Sequence, residues 1–128
     1  MIEREKELSF YKCSICGKVI VMIDSTLAPT ICCGREMRKL EPQSIEASTE
    51  KHVPVIEDHE DWIHVRVGST IHPMDANHYI QWIAVQTTRG FCIKYLEPGE
   101  KPEAIFCTGK DRVINVWEYC TIHGLWEA

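Results

Sequence analysis

Four of the chain's seven cysteines fall at positions 13, 16, 32 and 33, inside the segment YKCSICGKVIVMIDSTLAPTICCGREMRKL. That segment is short, turn-rich and too poor in apolar residues to hold a core by size alone. A structural metal is the usual remedy. The cysteine total is odd, and the first ten residues, MIEREKELSF, alternate charges without an apolar signal core. Export is therefore not expected, and thiols kept reduced in a cytoplasm favour metal ligation over a disulfide framework. Cys13 and Cys16 form a C-x2-C pair and Cys32 and Cys33 are adjacent, so the segment offers four thiolates, a set suited to tetrahedral zinc or iron.

The adjacent pair is unusual. Consecutive residues project their side chains in different directions, so Cys32 and Cys33 reach one metal only if its bond angles distort. Gly17 and Gly34 follow the two pairs and suit tight turns in which backbone amides approach sulfur. C-x2-C followed by CCG resembles desulforedoxin, in which a single iron sits in a distorted tetrahedron of this kind. A structural zinc site is the alternative for the same four thiolates.

Residues 41–49, EPQSIEAST, are polar with one proline and read as a linker, which puts a domain boundary near Pro42 and divides the chain into 1–41 and 42–128. Beyond it the pattern is β. Across residues 62–67, Ile63, Val65 and Val67 share one face, and Trp62, His64 and Arg66 share the other. Residues 79–87 and 91–96 read as a hairpin across TTRG, and residues 104–107 and 112–119 are two more β-rich runs flanking TGKD. Short strands at this spacing predict an all-β sandwich or barrel. The exception is HPMDANHYI, where Pro73 and Asp75 suit a single helical turn.

Composition removes several function classes. Apolar residues are 45% and charged residues 26% of 128, as in a globular protein rather than a disordered one. No apolar run approaches the roughly 20 residues that span a bilayer. A net charge of -5 with no basic cluster argues against nucleic acid and would repel an anionic substrate at long range.

The second region carries all six histidines and three cysteines. Cys120-Thr121-Ile122-His123 is a C-x2-H pair at the end of an expected strand, a spacing that lets one turn present a thiolate and an imidazole to one metal. His72 and His78 flank the expected turn, and His52, in EKHVPVIE, is a third candidate. His59, in the charged EDHED turn, and His64, beside Arg66 on its strand face, read as exposed or half-buried residues. Cys92 and Cys107 read as small core residues, and Trp82, Trp117 and Trp126 as core or site-wall aromatics.

EKHVPVIE, VGSTIHPMDANHYIQWI and EYCTIHGLW resemble the three signatures of superoxide reductases, and with the desulforedoxin-like segment ahead of them the chain is similar to the two-iron desulfoferrodoxin form. The resemblance covers nearly the whole chain. It implies an immunoglobulin-like β-sandwich bearing the catalytic iron, joined to a small metal-stabilised desulforedoxin-like domain. It implies that His52, His72, His78 and His123 ligate that iron in a plane, with Cys120 on the axis below. It also implies that Lys51 draws superoxide in and helps with protonation, and that Glu50 takes the sixth position of the oxidised iron. Backbone amides of Ile122 and His123 are placed to donate to the Cys120 sulfur. A five-ligand set of four histidines and a cysteine favours iron over zinc, which prefers four ligands and has no redox chemistry. The expected activity is reduction of superoxide to hydrogen peroxide without dismutation. Electrons would come from a rubredoxin-like donor, and the protein would be a cytoplasmic homodimer. Two other readings fit the same residues: an electron-transfer protein whose irons only shuttle charge, and a structural zinc protein that binds a partner.

Overall fold

The computed structural model describes residues 7–44, 51–69 and 72–128. The chain divides into two compact units, Met1–Glu41 and Pro42–Ala128. Among the described residues there is no helix, and so none long and apolar enough to cross a membrane.

The described residues of the first unit form five short strands: β1 (Ser9–Lys12), β2 (Val19–Met22), β3 (Ile31–Cys32), β4 (Arg35–Glu36) and β5 (Arg38–Lys39). They pair as a three-stranded sheet in the order β2-β1-β5 and a two-stranded ribbon of β3 and β4. Among its described residues the buried side chains are Leu8, Phe10, Cys13 and Met37, too few to stabilise about forty residues against their conformational entropy without a cross-link.

Among the described residues the second unit holds seven strands in two sheets. β6 (Pro54–Asp58), β7 (Trp62–Val67) and β10 (Glu103–Cys107) form one, in the order β10-β7-β6. β8 (Ile80–Thr87), β9 (Gly90–Tyr95), β11 (Val113–Cys120) and β12 (Gly124–Glu127) form the other, in the order β12-β11-β8-β9. All of these pairings are antiparallel, as in an immunoglobulin-like sandwich. The alternation in β7 turns Ile63, Val65 and Val67 inward, where they meet Ala104 and Phe106 of β10 and Ile80, Ile83, Val85, Val116 and Cys120 of the opposite sheet. Cys120, one of the expected metal ligands, is thus part of the core. Trp82 and Tyr119 stack at 5.4 Å, nearly parallel, and Trp117 is fully buried.

Two expectations are corrected. HPMDANHYI forms no helical turn: Asp75 and His78 instead bridge each other, each backbone N–H donating to the other's carbonyl at 2.9 and 3.0 Å. A two-residue β-turn satisfies the same Pro and Asp signals that suit a helix start. Cys92 and Cys107 are exposed rather than core. In β10 the inward positions are Ala104 and Phe106, so the alternation places Ile105 and Cys107 outward. Most of β9, Cys92 included, faces solvent.

Candidate metal centres

In the first unit the C-x2-C pair sits in the turn after β1. The Gly17 N–H donates to the Cys13 carbonyl at 3.0 Å, and Gly17 turns the chain back with a φ of 80°. The Ile15 and Cys16 amides reach the Cys13 sulfur at 3.4 and 3.5 Å. Those two amides, Cys16 first, lower the Cys13 pKa to about 6. The adjacent pair sits at the tip of the β3–β4 ribbon. Cys33 takes a left-handed conformation, φ 53°, and Gly34 follows at 74°. The tight reversal is how two consecutive residues bring both sulfurs to one place: Cys32 Sγ lies 4.0 Å from Cys33 Sγ and 3.8 Å from Cys16 Sγ. All four sulfurs lie within 4.8 Å of one another. Their mutual proximity, with Cys16 the largest influence, pushes Cys33 up to about 12. Four crowded thiols resist ionising together, and a cation at their centre reverses that resistance.

In the second unit five donors converge from four places. His52 precedes β6, His72 precedes and His78 closes the Asp75–His78 bridge before β8, Cys120 ends β11, and His123 lies in the turn to β12. One donor atom from each lies within 4.8 Å of all the others. The imidazoles form a closed ring. Centroids are 4.7 Å apart for His52–His72, 4.7 Å for His72–His78, 5.0 Å for His78–His123 and 4.7 Å for His123–His52. The His52–His78 diagonal is 6.5 Å, close to that of a square with such sides. Each neighbouring pair is steeply inclined, between 70° and 83°, so the rings stand like blades around a hub. The Cys120 sulfur lies 3.5 Å from His72 Nε2 and 3.8 Å from His123 Nδ1, and His123 Nδ1 lies 3.0 Å from His52 Nε2.

The protonation pattern suits a cation. The Pro73 carbonyl accepts from His72 Nδ1 at 2.6 Å, which fixes the tautomer and leaves the Nε2 lone pair facing the hub. Burial lowers His72 to about 4 and moves His78 down, with the charges of His123 and His52 adding and Lys51 contributing less. His78 Nε2 is buried with no hydrogen-bond partner, a lone polar atom of the kind a metal satisfies. Burial raises the Cys120 thiol, while the His123 and Ile122 amides act the other way by hydrogen-bonding the sulfur. A buried thiolate with two amide donors and no counter-charge is costly, and a cation beside it supplies that charge. Four imidazoles and one thiolate fit a redox-active first-row ion better than zinc, which is satisfied by four ligands.

The nine histidines and cysteines singled out as ligands thus fall into two clusters. His59 and His64 lie elsewhere, pairing with Glu57 at 2.9 and 3.9 Å on the outer face of β6–β7, where His59 also stacks on Trp62. Lys51 is half-buried beside His52, and Glu50 lies outside the described residues. Trp126 is a wall of the site, stacked on His52 at 4.7 Å and 14°. Sequence reasoning missed Gln43, whose side chain reaches the His123 carbonyl at 2.7 Å. A polar residue in a stretch read as linker, 80 positions from its partner, gives no local signal.

Comparison with known proteins covers both units. Residues 44–128 match the family described as Desulfoferrodoxin, and residues 5–40 match the Desulfoferrodoxin N-terminal domain. The desulfoferrodoxin of Syntrophotalea carbinolica is 42% identical over 96% of this chain and 97% of its own. The crystal structure of the superoxide reductase from Treponema pallidum superposes with a TM-score of 0.83 at 31% identity, covering 97% of this chain and 99% of that one. A one-iron superoxide reductase from Giardia intestinalis is similar over 62% of this chain and 96% of its own, with a TM-score of 0.54 and 28% identity.

Proposed function

The chain belongs to the desulfoferrodoxin family, and on that premise we propose that it is a superoxide reductase whose reaction takes place at the ring of His52, His72, His78 and His123 above Cys120. The observation that carries this reading is the convergence of five donors, four imidazoles and one thiolate, within 4.8 Å of one another. Iron held there supplies one-electron reduction, chemistry that zinc lacks. Cys13, Cys16, Cys32 and Cys33 would hold the other iron, at the first centre, in the unit preceding Pro42.

The chain's own residues then have separable tasks. Superoxide is a small anion, and conversion to hydrogen peroxide requires one electron and two protons. Lys51, adjacent to His52, counters the protein's net charge of -5 where the anion must enter and is the nearest candidate to help deliver a proton. Glu50 offers a carboxylate to the site once the iron is oxidised. Cys120 contributes electron donation from a sulfur whose basicity is tuned by the Ile122 and His123 amides. Trp126 covers the outer face of His52 and excludes water from it.

The reaction consumes electrons without returning them, so a one-electron donor must dock. A rubredoxin-like protein is the donor class we propose, with net reduction rather than dismutation as the outcome. We also propose a cytoplasmic homodimer: none of the seven cysteines is paired in a disulfide, which suits a reducing compartment, and so small a first unit gains from pairing.

Metal analysis with a visible spectrum, followed by superoxide consumption under a donor-regenerating system, tests the reading. Two irons per chain and peroxide formed without oxygen release are expected. Zinc in the second site, or oxygen evolved in step with peroxide, would overturn it.

A further inference from the structure

We propose that Gln43 is a positioning residue for the second metal centre, holding the turn that carries His123 through its side-chain amide. The proposal rests on the reading that this centre binds iron, and its test separates the two.

Gln43 lies alongside β12. Its backbone N–H donates to the Leu125 carbonyl at 3.0 Å, its own carbonyl accepts from Glu127 at 2.9 Å, and it bridges Trp126 in parallel. These contacts fix where the side chain starts. Its amide nitrogen then donates to the His123 carbonyl at 2.7 Å and reaches the Leu125 carbonyl at 3.4 Å. Both hydrogens of one amide are thus directed at the two carbonyls flanking Gly124. That glycine has a φ of 80°, and a Cβ there would lie 3.8 Å from the Gln43 nitrogen. On the other side the same turn is tied to the start of β8. The Thr121 N–H donates to the Tyr79 carbonyl at 3.0 Å, and the Tyr79 N–H donates to Thr121 Oγ1 at 3.2 Å. The ligand-bearing turn is therefore held from two directions, and Gln43 provides one of them.

The hold matters because of which ring atom His123 uses. Its Nδ1, the imidazole nitrogen nearer the backbone, is the one facing Cys120 Sγ and His52 Nε2. A ligand through Nδ1 has a short lever to its backbone, so a small displacement of the turn moves the donor atom nearly as far. The amides that hydrogen-bond the Cys120 sulfur belong to Ile122 and His123, the same turn. Loosening the His123 carbonyl therefore disturbs one imidazole donor and both sulfur hydrogen bonds together. Partners of this outer kind typically change metal affinity by roughly 10- to 100-fold.

The test replaces Gln43 by Met, close in length but with no N–H, and by Glu, close in shape but without donors when ionised. In the two-iron protein, the rate of iron release to a chelator is followed at each centre by its own visible band, together with the thiolate-to-iron band of the second centre. We expect both variants to release second-centre iron about tenfold faster or more and to shift that band, with first-centre release and spectrum unchanged as the internal control. Parent-like release and band positions in both variants would overturn the proposal, as would equal acceleration at both centres, which marks general loosening of the fold. A parent protein with no thiolate-to-iron band at the second centre would instead remove the functional reading on which the proposal stands.

Discussion

At the scale of single residues, the most informative side chains are those whose chemistry no substitute supplies. Cys120 is fully buried within the sandwich core, and burial raises its thiol while the Ile122 and His123 amides oppose that shift. Serine there keeps the volume but offers a neutral, harder oxygen. Cys120→Ser should lose second-centre iron and turnover by more than the roughly 10- to 100-fold typical of losing an outer partner, as read by metal content and superoxide consumption. Normal rates in that variant would remove the thiolate from the mechanism. The role proposed for Lys51 in the encounter with superoxide is electrostatic. A divalent ion held by one thiolate and neutral imidazoles would leave a single local positive charge, and Lys51, adjacent to His52, would add another. Lys51→Ile should slow the bimolecular step with superoxide by on the order of tenfold and flatten its dependence on ionic strength. Stopped-flow traces at two salt concentrations check it, and equal rates and slopes would reduce Lys51 to a solvated residue.

At the scale of elements, the β11–β12 hairpin explains why a core strand can end in a metal ligand. Its register is regular from Trp117 opposite Glu127 to Cys120 opposite Gly124, while the pairing of β11 with β8 shifts between Tyr119 and Cys120. Such an irregularity bends a strand and re-aims the side chain beside it. Gly124 closes the hairpin at φ 80°, a conformation that costs a side-chain-bearing residue about 1–2 kcal/mol. A Cβ at that position meets nothing closer than 3.8 Å, so the cost of Gly124→Ala is conformational rather than a clash. A fall in Tm of roughly 4–8 °C per kcal/mol is expected for a domain of this size, and an unchanged melting curve would show that the turn relaxes without strain.

Much of this was legible in the sequence because it is written locally. The alternation in β7, the β8–β9 hairpin and the C-x2-C and C-x2-H pairs each lie within a few residues. What was not legible depended on competition or distance. Pro73 and Asp75 serve a β-turn as well as a helix start, so local preference alone did not decide between them. Cys92 and Cys107 are apolar enough for a core, yet their strands turn them to solvent. The Gln43 contact joins positions 80 residues apart, and Glu118, fully buried two positions before Cys120, is hidden in a run read only as β-rich.

At the scale of the whole molecule, the two donor sets share no residue: Cys13, Cys16, Cys32 and Cys33 lie in Met1–Glu41, and the five other donors lie in Pro42–Ala128. The units also differ in what holds them together. The larger has a continuous apolar core between two sheets, whereas among its described residues the smaller buries only Leu8, Phe10 and Met37 besides a cysteine. A unit of that kind is stable through its metal. Cys13 is its most consequential ligand, because it alone of the four sulfurs belongs to a buried residue and it accepts two backbone amides. Cys13→Ser should therefore abolish the first centre's visible spectrum and leave residues 1–41 open to proteolysis. The larger unit should keep its iron, its melting transition and its rate with superoxide. Limited proteolysis and stopped-flow kinetics on the same preparation decide the matter. If reductase activity disappears along with the first spectrum while second-centre iron is retained, the tetrathiolate iron is an obligatory electron relay and the division of labour between the two centres is wrong.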